Sequence, residues 1–250
     1  MGVRTNILIT GASSGLGAQM AREFAARGRS LALCARRTDR LEELRAELLR
    51  AHPGIRVDVK ALDVTDPAAV LDVIGAFAEE FGTLDRVIVN AGIGTGQPLG
   101  SGRFEVNQRT AQTNFLGALA QMEAAMAVFR KQDAGHLVVV SSISALRGMP
   151  RHLTTYAATK AGVATLAEGL RVELVGSPIT VSTIYPGYIR TEMNERARNL
   201  PLVVGTEKGA AAMVAAIEKE KARAYVPAWP WLPLGSLLRV LPARLLAKLP

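Results

Sequence analysis

The chain has 250 residues, 49% of them hydrophobic and 21% charged, with 23 glycines and 12 prolines. That is enough chain for one large core, and the composition excludes disordered, collagen-like and low-complexity classes. The net charge is +8, and five of its cations, Lys221, Arg223, Arg239, Arg244 and Lys248, stand in an acid-free C-terminal stretch. With 5% aromatic residues there is little to stack on bases, so nucleic acid is not an expected partner.

A single cysteine, Cys34, cannot form an internal disulfide, and His52, His136 and His152 lack metal-ligand spacing, so no metal is expected. The first apolar stretch, Ile7-Leu8-Ile9, is too short for the core of a targeting segment. No uninterrupted apolar run reaches the roughly 18 residues of a membrane span. The expected location is cytoplasmic.

Short apolar runs alternate with longer amphipathic stretches, the pattern of βαβ units. The first strand is predicted at Asn6–Thr10. Thr10-Gly11-Ala12-Ser13-Ser14-Gly15-Leu16-Gly17 then opens a helix over Gly15–Arg27. Glycines there let the backbone turn sharply and approach a pyrophosphate at the helix N-terminus. A second strand, Ser30–Cys34, ends in Ala35-Arg36-Arg37 and leads to a helix over Arg40–Arg50. An NAD enzyme places a carboxylate at that strand end. Ala35 followed by two guanidinium groups instead suits a 2′-phosphate, which favours NADP(H); a solvated pair at the helix start is the plain alternative, and it fits Arg37 better than Arg36.

The third strand, Arg56–Leu62, closes on Asp63-Val64 and precedes a helix over Ala68–Phe81. The fourth, Arg86–Asn90, closes on Asn90-Ala91-Gly92-Ile93-Gly94. Both ends lie at the carboxyl edge, where such sheets bind ligands, although Asp and Asn also favour plain turns. One helix is predicted over Phe104–Arg130, with Asn114 inside it, then a strand over His136–Ser141 that delivers Ser142. The helix over Thr155–Val175 carries Tyr156 and Lys160 at i and i+4, so phenol and ammonium share one face. A phenol titrates near ~10 and needs a nearby cation to work as an acid-base group at neutral pH. A strand over Thr180–Ile184 and a helix over Thr206–Glu218 complete the series. The expected architecture is a Rossmann-type doubly wound parallel sheet of about seven strands, six of them placed here, forming one domain over residues 1–250. Residues 226–250 form a Pro-, Leu- and Trp-rich basic tail.

Thr10-Gly11-x-x-x-Gly15-x-Gly17, Asp63, Asn90-Ala91-Gly92, Asn114, Ser142, Tyr156-x-x-x-Lys160 and Pro186-Gly187-x-x-x-Thr191 resemble, in this order, the short-chain dehydrogenase/reductase family in its single-domain branch. The resemblance covers roughly residues 5–225. It implies hydride transfer between NADP(H) and a carbonyl or alcohol. Tyr156 would exchange the proton, Lys160 would lower its pKa and bind the nicotinamide ribose, and Ser142 would orient the carbonyl. Asn114 would hold a water linking Lys160 to solvent. Gly11, Ser13, Ser14, Gly15, Leu16 and Gly17 would cradle the pyrophosphate, and Arg36 and Arg37 would take the 2′-phosphate. Asp63, with Val64, would receive the adenine, and Asn90, Ala91 and Gly92 would wall the pocket. Pro186, Gly187, Ile189 and Thr191 would meet the nicotinamide. The resemblance also implies a homo-oligomer, dimer or tetramer.

Ser142 and Tyr156 stand 14 positions apart where 13 is common in the family, which leaves Ser141 and Ser144 as lesser candidates. The substrate is expected to be apolar and to meet Ser142, Met149, Tyr156, Tyr188 and Met193, with Leu146, Leu153, Leu200, Pro201 and Leu202 nearby. In the tail, Leu234, Leu237, Leu238, Leu241, Leu245 and Leu249 form a helical stripe beside Arg239, Arg244 and Lys248. That stripe suits packing on the domain, on a second subunit or on an anionic membrane surface. A noncatalytic cofactor-binding or membrane-associated scaffold of the same fold is the competing reading.

Overall fold

The computed structural model describes residues 2–192 and 202–247. Seven parallel strands form one sheet in the order β3-β2-β1-β4-β5-β6-β7. They are β1 (Asn6–Thr10), β2 (Ser30–Ala35), β3 (Val57–Ala61), β4 (Arg86–Val89), β5 (Gly135–Val140), β6 (Ile179–Pro186) and β7 (Arg223–Val226). Ile7, Leu8 and Ile9 are all fully buried although their side chains alternate between the faces. Both faces are therefore covered, and this is why the strands read as continuous apolar runs.

One face carries α1 (Gly15–Ala25), α2 (Thr38–Ala51) and α7 (Thr206–Glu218), with Phe24, Leu41 and Met213 in a shared core. The other carries α3 (Pro67–Phe81), α5 (Gly117–Gln132) and α6 (Thr154–Glu173), with Phe77, Phe129 and Val163. Local signals set the ends. Asp66 accepts from the Ala68 and Ala69 amides to cap α3, and Gly82 ends it at φ 75°. The strand order reverses between β1 and β4, which opens a crevice at their carboxyl ends.

Three sequence expectations change. The single helix over Phe104–Arg130 is α4 (Phe104–Ala111), a π turn (Gln112–Leu116) and then α5. Asn114 sits in the wide turn, and both ends of its amide bond to Ile93: Oδ1 accepts from the Ile93 amide at 2.8 Å and Nδ2 donates to the Ile93 carbonyl at 2.8 Å. This tertiary clamp fixes a turn that helical periodicity smooths over. β6 runs two residues further than expected, to Pro186, because Gly187 continues its pairing with Val226 of β7. The seventh strand falls at Arg223–Val226, four residues too few to show a period.

The tail forms α8 (Ala228–Val240) and α9 (Ala243–Leu246). α8 lies on β7 and on the 3-10 turn Ile143–Leu146 after β5, where Gly235 admits Leu146, Ile143 and Tyr225. Arg147 donates to the carbonyls of Arg239 and Leu241 at 3.2 and 3.3 Å, satisfying the helix end. The leucine stripe divides. Leu234, Leu238 and Leu241 are half-buried, whereas Leu237 and Leu245 are exposed together with Trp229, Leu232 and Val240; the buried Leu246 lies outside the stripe. Leu249 and Lys248 lie outside the described residues. Among the described residues no helix is long and apolar enough to cross a membrane.

Candidate active site

A cleft of about 630 Å³ opens along the carboxyl ends of β1, β4, β5 and β6. At its floor the Thr10 hydroxyl accepts from the Asn90 and Ala91 amides, both at 3.0 Å, and Asn90 Nδ2 donates to the Thr10 carbonyl at 2.9 Å. These bonds tie β4 to β1 and brace the glycine turn. Gly11 and Gly15 hold φ of 64° and 53°, a region that disfavours any side chain. A Cβ at Gly17 would overlap the Gly11 carbonyl and press on Asn90 Nδ2. Ser14 makes no side-chain cap on α1, and the first turn carries no acid. The helix N-terminus thus presents amides and positive potential with no competing carboxylate in its first turn.

Arg37 lies over this turn, its Nη2 donating to Ser14 Oγ at 2.6 Å and its Nε to Ser13 Oγ at 3.3 Å. Arg36 approaches Asp63 at 3.9 Å. A backbone hydrogen bond from Thr65, followed by one from its hydroxyl, holds the Asp63 carboxyl below its ordinary range despite opposing burial. Among the described residues no cluster of His, Cys, Asp and Glu could hold a metal ion.

Toward β5 and β6, Ser142, Tyr156 and Lys160 line the same cleft. Ser142 comes from the end of β5, and the other two from one face of the first turns of α6. Burial raises the Tyr156 hydroxyl above its usual range, and a hydrogen bond with Ser142 works against that shift. Burial lowers Lys160 to about 8, and its Nζ donates to the Val140 carbonyl at 2.9 Å. Ser141 donates to the Lys160 carbonyl at 2.7 Å, so its hydroxyl anchors α6. Ser144 lines the cleft, and its amide donates to Ser142 Oγ at 3.2 Å. Asn114 stands one layer behind, where a Cβ on Gly92 would lie 3.2 Å from Asn114 Oδ1 and 3.5 Å from Lys160 Nζ.

Ser13, Ser14, Leu16, Arg36, Asp63, Val64, Asn90, Ala91, Gly92, Pro186, Gly187, Tyr188, Ile189 and Thr191 also face the cleft. Met149 does not: it is buried beside the cleft, its carbonyl accepting from Thr154. Met193, Leu200 and Pro201 lie outside the described residues. Four residues near the cleft were not legible as such. Thr113 and His152 line it, Glu192 closes it beside Arg37, and Trp231 packs against Gly187 and edge-on to Tyr188 at 5.3 Å. His152 comes from a 3-10 turn, Arg151–Leu153, just before α6. Trp231 is distant in sequence and offered no signal.

A parallel sheet with a glycine turn at its switch point and a Ser-Tyr-Lys group across the cleft defines a dinucleotide-binding class of α/β protein. Comparison with known proteins specifies it further. The family model for short chain dehydrogenase matches residues 5–200, and the chain belongs to that family. It is 52% identical over 242 residues to an uncharacterised oxidoreductase of Mycobacterium tuberculosis, covering 97% of this chain and 96% of that one. A short-chain dehydrogenase from Sphingobium yanoikuyae in complex with NADPH superposes with a TM-score of 0.82 at 28% identity, over 98% and 96% of the two chains. An alcohol dehydrogenase from Thermococcus sibiricus complexed with 5-hydroxy-NADP gives 0.78 at 27%, over 88% and 94%. The protein is an oxidoreductase of single-sheet architecture.

Proposed function

We propose that this protein interconverts a carbonyl and a secondary alcohol on an apolar, lipid-like substrate, with NADP(H) as hydride carrier. The observation that carries the reading is the convergence of Ser142, Tyr156 and Lys160 in one cleft with the glycine turn. The described residues suit the dinucleotide. The turn from Gly11 to Gly17 leaves a cradle that a Cβ would fill, and Arg37 with Ser13 and Ser14 forms a donor set matched to a phosphate. The named neighbours bound to NADPH and to a derivative of NADP support the same choice. When bound, the nicotinamide supplies or accepts the hydride.

The chain's own residues handle the proton and the orientation. Ser142 donates to the substrate oxygen and holds it beside Tyr156. Tyr156 gives its proton to that oxygen in reduction and takes it back in oxidation. Unaided, the buried phenol is too weak an acid for neutral pH, and the ammonium of Lys160, one turn along, stabilises its phenolate. Asn114, clamped in the π turn and close to Lys160 around Gly92, would hold a water that resupplies the proton. Leu153 and Tyr188 offer the apolar contacts.

The test is NADPH consumption against ketones and aldehydes of increasing chain length and ring number, with Tyr156→Phe as control. Turnover that rises with apolar size and is lost in the variant, while NADPH still binds, is the expected result. Equal turnover by Tyr156→Phe would remove the assignment.

A second reading concerns location. Trp229, Leu232, Leu237, Val240 and Leu245 are exposed on the tail helices beside Arg239 and Arg244, a combination that fits the interface of an anionic membrane next to the substrate cleft.

A further inference from the structure

Glu192 directly follows Thr191, whose side chain lies over Gly15, with its Cβ and Cγ2 3.6 Å from where a Cβ on Gly15 would be. The chain thereby crosses the glycine turn and brings the Glu192 carboxylate to the adenosine end of the cleft. There Oε1 accepts from Arg40 Nη1 at 2.9 Å and Oε2 stands 3.5 Å from Arg37 Nη1. Arg37 is the group that also donates to Ser13 and Ser14. The nearby Arg36 is turned to Asp63 instead. Glu192 is thus an anion from the end of the chain segment after β6, seated on two cations at the start of α2.

We infer that Glu192 is a specificity-determining counter-anion that competes with the 2′-phosphate of NADP(H) for Arg37. The inference rests on the assignment of Arg37 to that phosphate. A 2′-phosphate at Arg37 either displaces the carboxylate or lies beside it, and both outcomes weaken binding: one forfeits the ion pair and the other adds like-charge repulsion. A 2′-hydroxyl carries no charge and feels neither. Glu192 therefore narrows the preference for NADP(H) over NAD(H) and hastens release of the phosphorylated cofactor. All three side chains are about half exposed, so the effect is screened and modest.

The experiment is titration of the purified full chain with NADPH and with NADH. It is followed by energy transfer from tryptophan to the bound nicotinamide, with stopped-flow release, for wild type, Glu192→Gln, Arg37→Ala and the double variant. Glu192→Gln is expected to tighten NADPH by up to about fivefold, through slower release, and to leave NADH within twofold. In the Arg37→Ala background the same change should shift NADPH by less than twofold. Unchanged or weaker NADPH binding in Glu192→Gln overturns the inference, as does an equal gain for NADH. Failure of the underlying assignment reads differently: Arg37→Ala would then weaken both cofactors alike or neither.

Discussion

Replacing Arg86 by Met probes a charge network at the opposite edge of the sheet from the cleft. Arg86 is 1% exposed, and its guanidinium donates from Nε to His136 Nδ1 at 2.8 Å and from Nη1 to Glu218 at 2.7 Å. Since arginine only donates, His136 is the tautomer with its proton on Nε2, 2.8 Å from Ser182 Oγ. Methionine retains the apolar stem but strips both bonds. Breaking a buried pair costs about 3–5 kcal/mol because the abandoned charge stays desolvated. Here Glu218 keeps Arg29 at 3.2 Å, and Glu220 keeps Arg4 at 2.9 Å and Thr180 at 2.7 Å. The expected loss is therefore at the low end, about 3 kcal/mol, or roughly 6–12 °C in Tm for a chain of this size.

The same variant changes the pH response. Burial first, then the Arg86 charge, holds His136 down at about 3, against an ordinary 6.5. Between those values the unfolded chain binds a proton that the native state refuses, so stability falls as pH drops through that window. Burial alone would raise Glu220, but bonds from Arg4 and Thr180 and nearby positive charge take it to about 2 from an ordinary 4.5. Its contribution is complete above 4.5 and is lost as pH falls toward 2, which adds to the acid sensitivity. In Arg86→Met the imidazole loses its cationic neighbour and faces Glu220 at 3.8 Å. It should protonate at higher pH and flatten the slope between pH 6.5 and 4.5. Urea unfolding of both proteins from pH 4.5 to 8 measures loss and slope together. A loss under about 1 kcal/mol, or parallel pH curves, would refute the reasoning.

Two further outcomes follow from the cleft and the tail. Gly17→Ala puts a methyl into the Gly11 carbonyl, and should cost about 1–3 kcal/mol of stability and at least about tenfold in NADPH affinity, read by thermal melting and cofactor titration. Unchanged affinity would show that the turn does not hold the pyrophosphate. The full chain should co-float with vesicles of phosphatidylglycerol and phosphatidylcholine. Trp229→Ser with Val240→Ser, at sites 78% and 75% exposed, should reduce that binding roughly tenfold without lowering Tm. Recovery of wild type in the unbound fraction would end the membrane reading.

What the sequence determined by itself was whatever rests on neighbours in the chain. The apolar runs of β1 and β2, the turn from Gly11 to Gly17 and the i, i+4 pairing of Tyr156 with Lys160 depend on spacing and backbone freedom. Those forces act over a few residues, and the strand series together with its motif order was legible from them. The tertiary structure alone decided where distant segments meet. The helix over Phe104–Arg130 breaks into a π turn because Asn114 closes on the Ile93 backbone, and periodicity carries no trace of that partner. Arg223–Val226 becomes a strand because β6 offers it an edge. Trp231 reaches Gly187 only because α8 folds over β7, and Glu192 finds Arg37 and Arg40 only because the segment after β6 crosses back over the glycine turn to the start of α2. Contacts of this kind depend on the register of the assembled sheet, a property that no local stretch of the chain encodes.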